Sequence, residues 1–150
     1  MEDRFESFSY LIMKTAKLIG KIKTLEIMEY DLKAIDVMCI YYLNKSENGL
    51  SNKEIVNLTY EDKGAISRAM KELKDKGIVS YEANKYNGLI TLTAKGKEIS
   101  DYIKRKSSEA VLAGGASLSD KEREEFYDYL GRILNRLEEY YLSLKDKEEL

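Results

Sequence analysis

Apolar side chains recur at helical spacing in two stretches of the first third of the chain. From Phe5 to about Leu25 they come at steps of three, four or seven, with lysines elsewhere on the helical wheel, which predicts a long amphipathic helix. A second helix is predicted to end at the turn-forming segment 44–49. The apolar face of this second helix carries Leu32, Ile35, Cys39 and Leu43.

A capping pattern and a third apolar face follow that turn. Ser51 and Glu54 form a capping box, in which the serine hydroxyl accepts from the Glu54 amide, so a short helix is predicted to about Asn57. A further helix is predicted from near Asp62 until Gly77 ends it, because apolar residues there recur at i, i+3, i+4 and i+7. Its predicted buried face consists of Ile66, Ala69, Met70 and Leu73.

Two strand-like runs come next, at residues 78–82 and 89–93. The turn formers of residues 83–88 join them, which predicts a hairpin. The predicted order is therefore helix, short helix, helix and hairpin. That order is typical of a helix-turn-helix with a wing, in which the second helix of the motif enters the major groove of DNA.

The last third of the chain returns to helical spacing. A helix from Ala94 to about Leu112 is predicted to stop at the glycines that follow Ala113, and Ser119 with Glu122 repeats the capping box. The apolar residues of the next helix alternate steps of four and three, as in a heptad seam. Such a seam suits packing against another long helix, which favours dimerisation by the two ends of the chain, although an intrachain core gives the same pattern. The predicted dimerisation residues are Phe5, Phe8, Ile12, Phe126, Leu130, Ile133, Leu137, Tyr140 and Leu144.

These elements predict a mainly α-helical fold with a small β-hairpin wing. The length of 150 residues fits one domain with an appended dimerisation element. Within the single chain 1–150 we expect a winged helix-turn-helix part at residues 32–96, with dimerisation helices at residues 1–30 and 97–150. The absence of proline permits long uninterrupted helices.

Composition excludes several classes of chemistry. The chain has no histidine and a single cysteine, which removes the usual zinc sites, Ser-His and Cys-His catalysis and an intramolecular disulfide. No metal, cofactor or enzymatic activity is therefore predicted. No apolar run approaches the length of a membrane span and the chain begins with acidic and polar residues, so a cytoplasmic protein with no membrane partner is expected.

The middle of the chain is the net basic part, and it contains the candidate DNA-binding residues. Residues 51–96 carry 8 basic and 6 acidic side chains, against a net charge of −2 for the whole chain. A recognition helix needs small residues where its backbone approaches the groove, and arginine or lysine to reach bases or phosphates. The free amides at the N-terminus of this helix are also expected to favour a nearby phosphate. Residues of these types are Ser51, Lys53, Lys63, Gly64, Ala65, Ser67, Arg68, Lys71 and Lys85. An ordinary solvated helix face would show a similar interleaving of charges.

The order of these elements and their residues resembles the MarR family of bacterial winged-helix transcriptional regulators over nearly the whole chain. The segments that carry the resemblance are 50–56 (LSNKEIV), 64–79 (GAISRAMKELKDKGIV), 92–96 (LTAKG) and 118–123 (LSDKER). The resemblance implies a homodimer that binds pseudo-palindromic double-stranded operator DNA, usually as a repressor. It also implies release from DNA by a small ligand or an oxidant.

The predicted wing departs from the family pattern. Family wings usually carry an Asp-x-Arg sequence whose arginine enters the minor groove, whereas this shorter wing offers only Lys85 between Asn84 and Tyr86. The departure predicts weaker or less A·T-sensitive binding, unless Lys85 or the first helix compensates.

The release that the resemblance implies has two candidate sites in this chain, a cysteine and an aromatic pocket. Cys39 is predicted to be buried and inert, since it shares an apolar face, and the peroxide-sensing cysteine of the family lies in the first helix. An aromatic lining between the first two helices would suit a small aromatic or phenolic effector, although such residues more often fill a core. The candidate lining residues are Tyr10, Met13, Met38, Tyr41 and Tyr42.

The sequence is compatible with two functions from different classes. The favoured one is a sequence-specific DNA-binding regulator. The alternative is a protein-interaction module, a winged helix that has lost DNA binding, which the acidic balance and the arginine-poor wing suggest.

Overall fold

The computed structural model describes residues 4–82 and 88–148, which are mainly helical with a small antiparallel hairpin. This confirms the predicted fold class. The elements in chain order are α1 (Arg4–Glu26), a 3₁₀ turn (Met28–Tyr30), α2 (Ala34–Lys45), α3 (Asn52–Thr59), α4 (Lys63–Asp75), β1 (Val79–Ser80), β2 (Thr91–Leu92), α5 (Ala94–Gly114) and α6 (Asp120–Glu148). The chain divides after Ala110 into two compact units.

The core of the first unit is built mainly from α2, α3, α4 and the hairpin. The predicted stripe of α4 is buried throughout, and Ile55 of α3 and Cys39 of α2 pack with it. Ile27, which follows α1, and Ile99 and Ile103 of α5 belong to the same core. The core therefore extends beyond the range 32–96 on both sides.

The second helix begins later than its apolar spacing predicts. Leu32 is buried but precedes α2, since Lys33 is the extended N-cap residue and its amide donates to Asp36 Oδ2 at 2.7 Å. Asp31, two residues before Lys33, has a left-handed backbone conformation. The chain therefore turns between α1 and α2, and Leu32 reaches the core from this turn.

The C-terminus of α4 has the geometry of a glycine-terminated helix. Gly77 has a φ of 71°, its amide donates to the Lys74 carbonyl at 2.9 Å, and the Ile78 amide donates to the Leu73 carbonyl at 2.9 Å. This pair of hydrogen bonds closes the helix and directs the chain into β1. Glycine adopts this left-handed conformation without the steric cost that other residues incur.

The wing strands are shorter than the two strand-like runs in the sequence. β1 and β2 have two residues each, and Val79 pairs with Leu92. A bridge that the sequence did not reveal joins Leu50 to Ile90, with hydrogen bonds of 3.0 and 2.8 Å. The segment before α3 thus forms a third extended segment beside the base of the hairpin.

The second unit contains the end of α5 and the whole of α6. The predicted capping box at Ser119 is confirmed: its hydroxyl accepts from the Glu122 amide at 3.3 Å, and Glu122 Oε2 accepts from the Ser119 amide at 2.8 Å. Along the seam, Phe126, Ile133, Leu137, Tyr140 and Leu144 remain between 40% and 62% exposed. The interpretation of this seam as an intrachain core is therefore wrong for these five residues. In the described part of the chain, no helix is long and apolar enough to cross a membrane.

Candidate nucleic-acid interface

The cap of α3 fixes the first helix of the helix-turn-helix. The predicted capping box is confirmed: Ser51 Oγ accepts from the Glu54 amide at 3.3 Å, and the Ser51 amide donates to Glu54 Oε2 at 2.7 Å. This backbone hydrogen bond lowers the pKa of the Glu54 carboxyl. Ser51 itself is buried, and its hydroxyl also donates to Glu54. We therefore assign Ser51 a positioning role rather than a surface contact with DNA.

α4 presents opposite chemistry on its two sides. The buried stripe faces the core, and Arg68 and Lys71 lie on the exposed side together with Ser67 and Lys63. Gly64 and Ala65, at the first turn, are half-buried and present little or no side chain. The helix thus has small residues at its N-terminal end and long cationic side chains about one turn (Arg68) and two turns (Lys71) further on. Lys53 is exposed on α3, and Lys85 lies outside the described residues.

The N-terminus of α4 differs from the expectation for a phosphate-binding helix end. The sequence interpretation placed free amides there, but Asp62 is the N-cap residue and its Oδ2 accepts from the Ala65 amide at 3.0 Å. The carboxylate already satisfies one end amide and places a negative charge where an anion would bind. A phosphate at this helix end is therefore disfavoured, and that expectation is corrected.

The charged ends of Asp62 and Arg68 both lie close to Gly64 at the start of α4. A Cβ atom built on Gly64 would lie 3.0 Å from Asp62 Oδ2 and 3.3 Å from Arg68 Nη1. The guanidinium of Arg68 therefore extends back over the first turn, which matches the direction that helical side chains take. The exposed surface above Gly64 offers a hydrogen-bond donor and an acceptor side by side.

Contacts on the other side of α4 connect it to α2 and to the turn that precedes α2. Lys33 Nζ lies 2.8 Å from Glu72 Oε2, and Lys76 Nζ donates to the Asp31 carbonyl. Lys95 Nζ in turn donates to the Lys76 carbonyl at 2.7 Å. These contacts connect residues far apart in sequence, so local spacing gave no sign of them. They hold the C-terminal half of α4 against the body of the first unit.

Two titratable groups are buried on α2. Asp36 is 1% exposed, and its Oδ1 has no hydrogen-bond partner among the described residues. Burial raises the pKa of this carboxyl, although the hydrogen bond from the Lys33 amide acts in the opposite direction. Burial also raises the pKa of the Cys39 thiol to about 12. The predicted burial of Cys39 is confirmed, and the protonated thiol is a poor candidate for an oxidant sensor.

The residues predicted for an effector pocket lie on two helices of the first unit. Tyr10 and Met13 of α1 are exposed, with the ring of Tyr10 near Lys14 Nζ. On α2, Tyr41 and Tyr42 meet edge to face with ring centroids 5.3 Å apart, and Met38 is half-buried. The pocket itself stays a prediction.

The remaining residues predicted for dimerisation lie on α1 and α6. Phe8 is half-buried and Ile12 is 39% exposed on α1, while Leu130 is half-buried on α6. The Phe5 side chain lies outside the described part of the structure. The predicted role of these residues in a dimer stays a prediction.

Several solved structures with this arrangement of elements are described as transcriptional regulators. A MarR transcriptional regulator from Methanosarcina mazei Go1 is 21% identical, with a TM-score of 0.82 over 91% of this chain and 91% of that chain. A putative MarR family regulator from Listeria monocytogenes, solved with a 26mer DNA, is 20% identical, with a TM-score of 0.79 over 97% of this chain and 96% of that one. A MarR family protein from Mycobacterium tuberculosis, in complex with DNA, is 20% identical, with a TM-score of 0.69 over 83% and 95% of the two chains.

These likenesses define the fold of the chain. No protein-family model matches the sequence, and neither does any curated protein. The helix-turn-helix with its hairpin makes the first unit a winged helix. The chain as a whole has the fold of the MarR family regulators, as its sequence pattern predicts.

Proposed function

We propose that this protein is a sequence-specific DNA-binding transcriptional regulator that uses α4 as its recognition helix. The observation that carries the proposal is the division of α4 between a fully buried apolar stripe and an exposed side with Ser67, Arg68 and Lys71. A helix of this kind fits the major groove, which is about 12 Å wide, when small residues allow its backbone to approach. Gly64 and Ala65 supply that approach.

The active species in this proposal is a homodimer. Five large apolar side chains of the α6 seam are exposed, and α1 exposes further ones such as Leu11, Leu18 and Leu25. A monomer rarely leaves so many large apolar side chains in water, since burial of apolar surface is favourable by about 25 cal/mol per Å². A second copy of the chain, with the same seam, is the natural partner for it. The dimer would place two recognition helices in successive major grooves roughly 34 Å apart.

Repression is the mode of action that we propose, because a dimer on an operator blocks access of other proteins to the same groove. Release by a small planar effector is the proposed control. The exposed or half-buried aromatic side chains of α1 and α2 support it, since planar ligands stack on such rings.

Selection of duplexes from a random pool, followed by titration at several salt concentrations, tests the proposed function. We expect enrichment of a pseudo-palindromic site, with log K falling linearly with log salt concentration. Arg68→Ala should abolish the preference for that site, whereas Lys53→Ala, on α3, should weaken binding of all duplexes alike. A stable dimer that selects no sequence, even at low salt, would contradict the proposal and favour a protein-interaction module instead. The acidic side chains of Glu61 and Asp62 beside α4 suit that second function.

A further inference from the structure

We propose that Asp62 is a specificity-determining residue, and that Asp62 and Arg68 together read one G·C base pair in the major groove of each half-site. This inference rests on the proposed function, and it concerns which base pair the recognition helix selects. It starts from the carboxylate found at the N-terminus of α4, where the sequence suggested a phosphate contact.

The geometry around Gly64 brings the two side chains to one place. Asp62 Oδ2 and Arg68 Nη1 lie 3.0 and 3.3 Å from a Cβ built on Gly64, so an acceptor and a donor both lie over the first turn of α4. Asp62 is held there because its Oδ2 accepts from the Ala65 amide. An ionised carboxylate has lone pairs left over after that hydrogen bond, so it can accept another.

A G·C pair presents the complementary groups in the major groove. Guanine offers the acceptors O6 and N7, which suit a guanidinium fork, and the cytosine N4 amino group donates to a carboxylate. Guanine O6 and cytosine N4 are neighbours within the pair, so the protein must offer its donor and acceptor side by side. Arg68 and Asp62 do so across Gly64.

An A·T pair fits this arrangement less well. Its major-groove edge has no two adjacent acceptors for the guanidinium fork of Arg68, and the thymine methyl group lies against the polar side chains. The carboxylate of Asp62 also repels phosphates. This repulsion lowers the affinity for any duplex that places no cytosine amino group within hydrogen-bond distance of Asp62. Asp62 therefore strengthens discrimination and weakens non-specific binding, a combination that a purely capping role does not produce.

Asp62→Asn is the variant that tests this inference. Asparagine is as good an N-cap as aspartate, so α4 should still begin at the same residue. The substitution removes the negative charge of the carboxylate that accepts from cytosine. The probes are duplexes of the selected operator in which each G·C pair of one half-site is changed in turn to A·T, together with an unrelated duplex. Lys71→Gln, which removes a charge from the same face of α4, is the matched control.

For the wild type we expect a preference of about tenfold or more for G·C at one position of each half-site. Asp62→Asn should reduce that preference by about fivefold or more and bind the unrelated duplex more tightly. Lys71→Gln should weaken every duplex by a similar factor and leave the preference intact. An unchanged preference in Asp62→Asn, with specific binding by the wild type, would overturn this inference and leave the proposed function standing. Absence of any selected duplex for the wild type would overturn both.

Discussion

Lys74 Nζ donates to the carbonyl oxygen of Tyr81 at 2.9 Å, and the same atom lies 4.2 Å from the centroid of the Tyr81 ring. Lys74 belongs to α4, and Tyr81 directly follows β1. The ammonium group therefore connects α4, the proposed recognition helix, to the base of the hairpin by a hydrogen bond and a cation–π contact. A lysine that the sequence shows only as one more charge on a helix thus positions α4 against the hairpin.

Replacement of Lys74 by methionine should loosen this connection while it keeps the aliphatic stem. We expect the free energy of unfolding to fall by about 1 kcal/mol, the combined size of a partly exposed cation–π contact and a hydrogen bond. The midpoint of urea unfolding measures it. Lys71→Met, on the exposed side of the same helix, should change stability by less than about 0.5 kcal/mol. Equal midpoints for the two variants would contradict a stabilising contact between Lys74 and Tyr81.

Gly96 allows the first turn of α5 to lie against the backbone of Ile78. A Cβ on residue 96 would be 2.2 Å from the Ile78 carbonyl oxygen, which is fixed in the base of the wing. Gly96→Ala should therefore destabilise the protein by about 1–3 kcal/mol, as overpacking does. In the control, Gly64→Ala, the new methyl meets only the ends of two exposed side chains, Asp62 and Arg68, so we expect a change below about 1 kcal/mol. Thermal unfolding of the two variants distinguishes these outcomes.

The buried carboxyl of Asp36 should leave a signature in the pH dependence of stability. Burial raises its pKa, so the folded protein holds this proton more tightly than the unfolded chain does. The contribution of Asp36 to the free energy of unfolding should then become more favourable as pH falls through the folded-state pKa. Urea unfolding of the wild type and Asp36→Asn between pH 7 and 4 isolates this contribution, since the variant cannot titrate there. If the difference in the free energy of unfolding between the two proteins does not change with pH, or if the variant becomes relatively more stable at low pH, the raised pKa of Asp36 is contradicted.

The exposed seam of α6 should control the oligomeric state. Leu137→Glu places an uncompensated charge in the proposed contact between two copies, and each dimer contains it twice. We expect the dissociation constant of the dimer to rise by at least about a hundredfold, measured by sedimentation equilibrium. Asn135→Glu adds the same charge on the opposite side of α6 and should leave the dimer intact. If both variants dissociate, or if neither does, the proposal that the α6 seam forms the dimer contact is contradicted.

Local sequence signals predicted the parts of this fold that depend on near neighbours. The two capping boxes, at Ser51 and Ser119, and the buried stripe of α4 are set within one or two helical turns, so their spacing is visible in the sequence. The bridge from Leu50 to Ile90 is different, because it joins segments 40 residues apart that only the folded core brings together. That long-range pairing is set by packing, which local β-propensity does not encode.

The candidate site divides in the same way. Gly64, Arg68 and Lys71 were recognisable from their positions on a helical wheel. Asp62 was predicted to lie near the start of that helix, but its cap of the Ala65 amide and its closeness to Arg68 depend on side-chain direction in the folded protein. Spacing alone therefore indicated an anion-binding helix end where the structure places a carboxylate.

Methylation interference on the selected operator tests most directly the claim that two copies of α4 lie in successive major grooves. Methylation of guanine N7 marks the major groove, and methylation of adenine N3 marks the minor groove. We expect guanine methylation to block binding at two positions about 10 base pairs apart, and Arg68→Ala to lose that pattern. A single blocked region, interference from adenine N3 alone, or no interference at all would contradict the account.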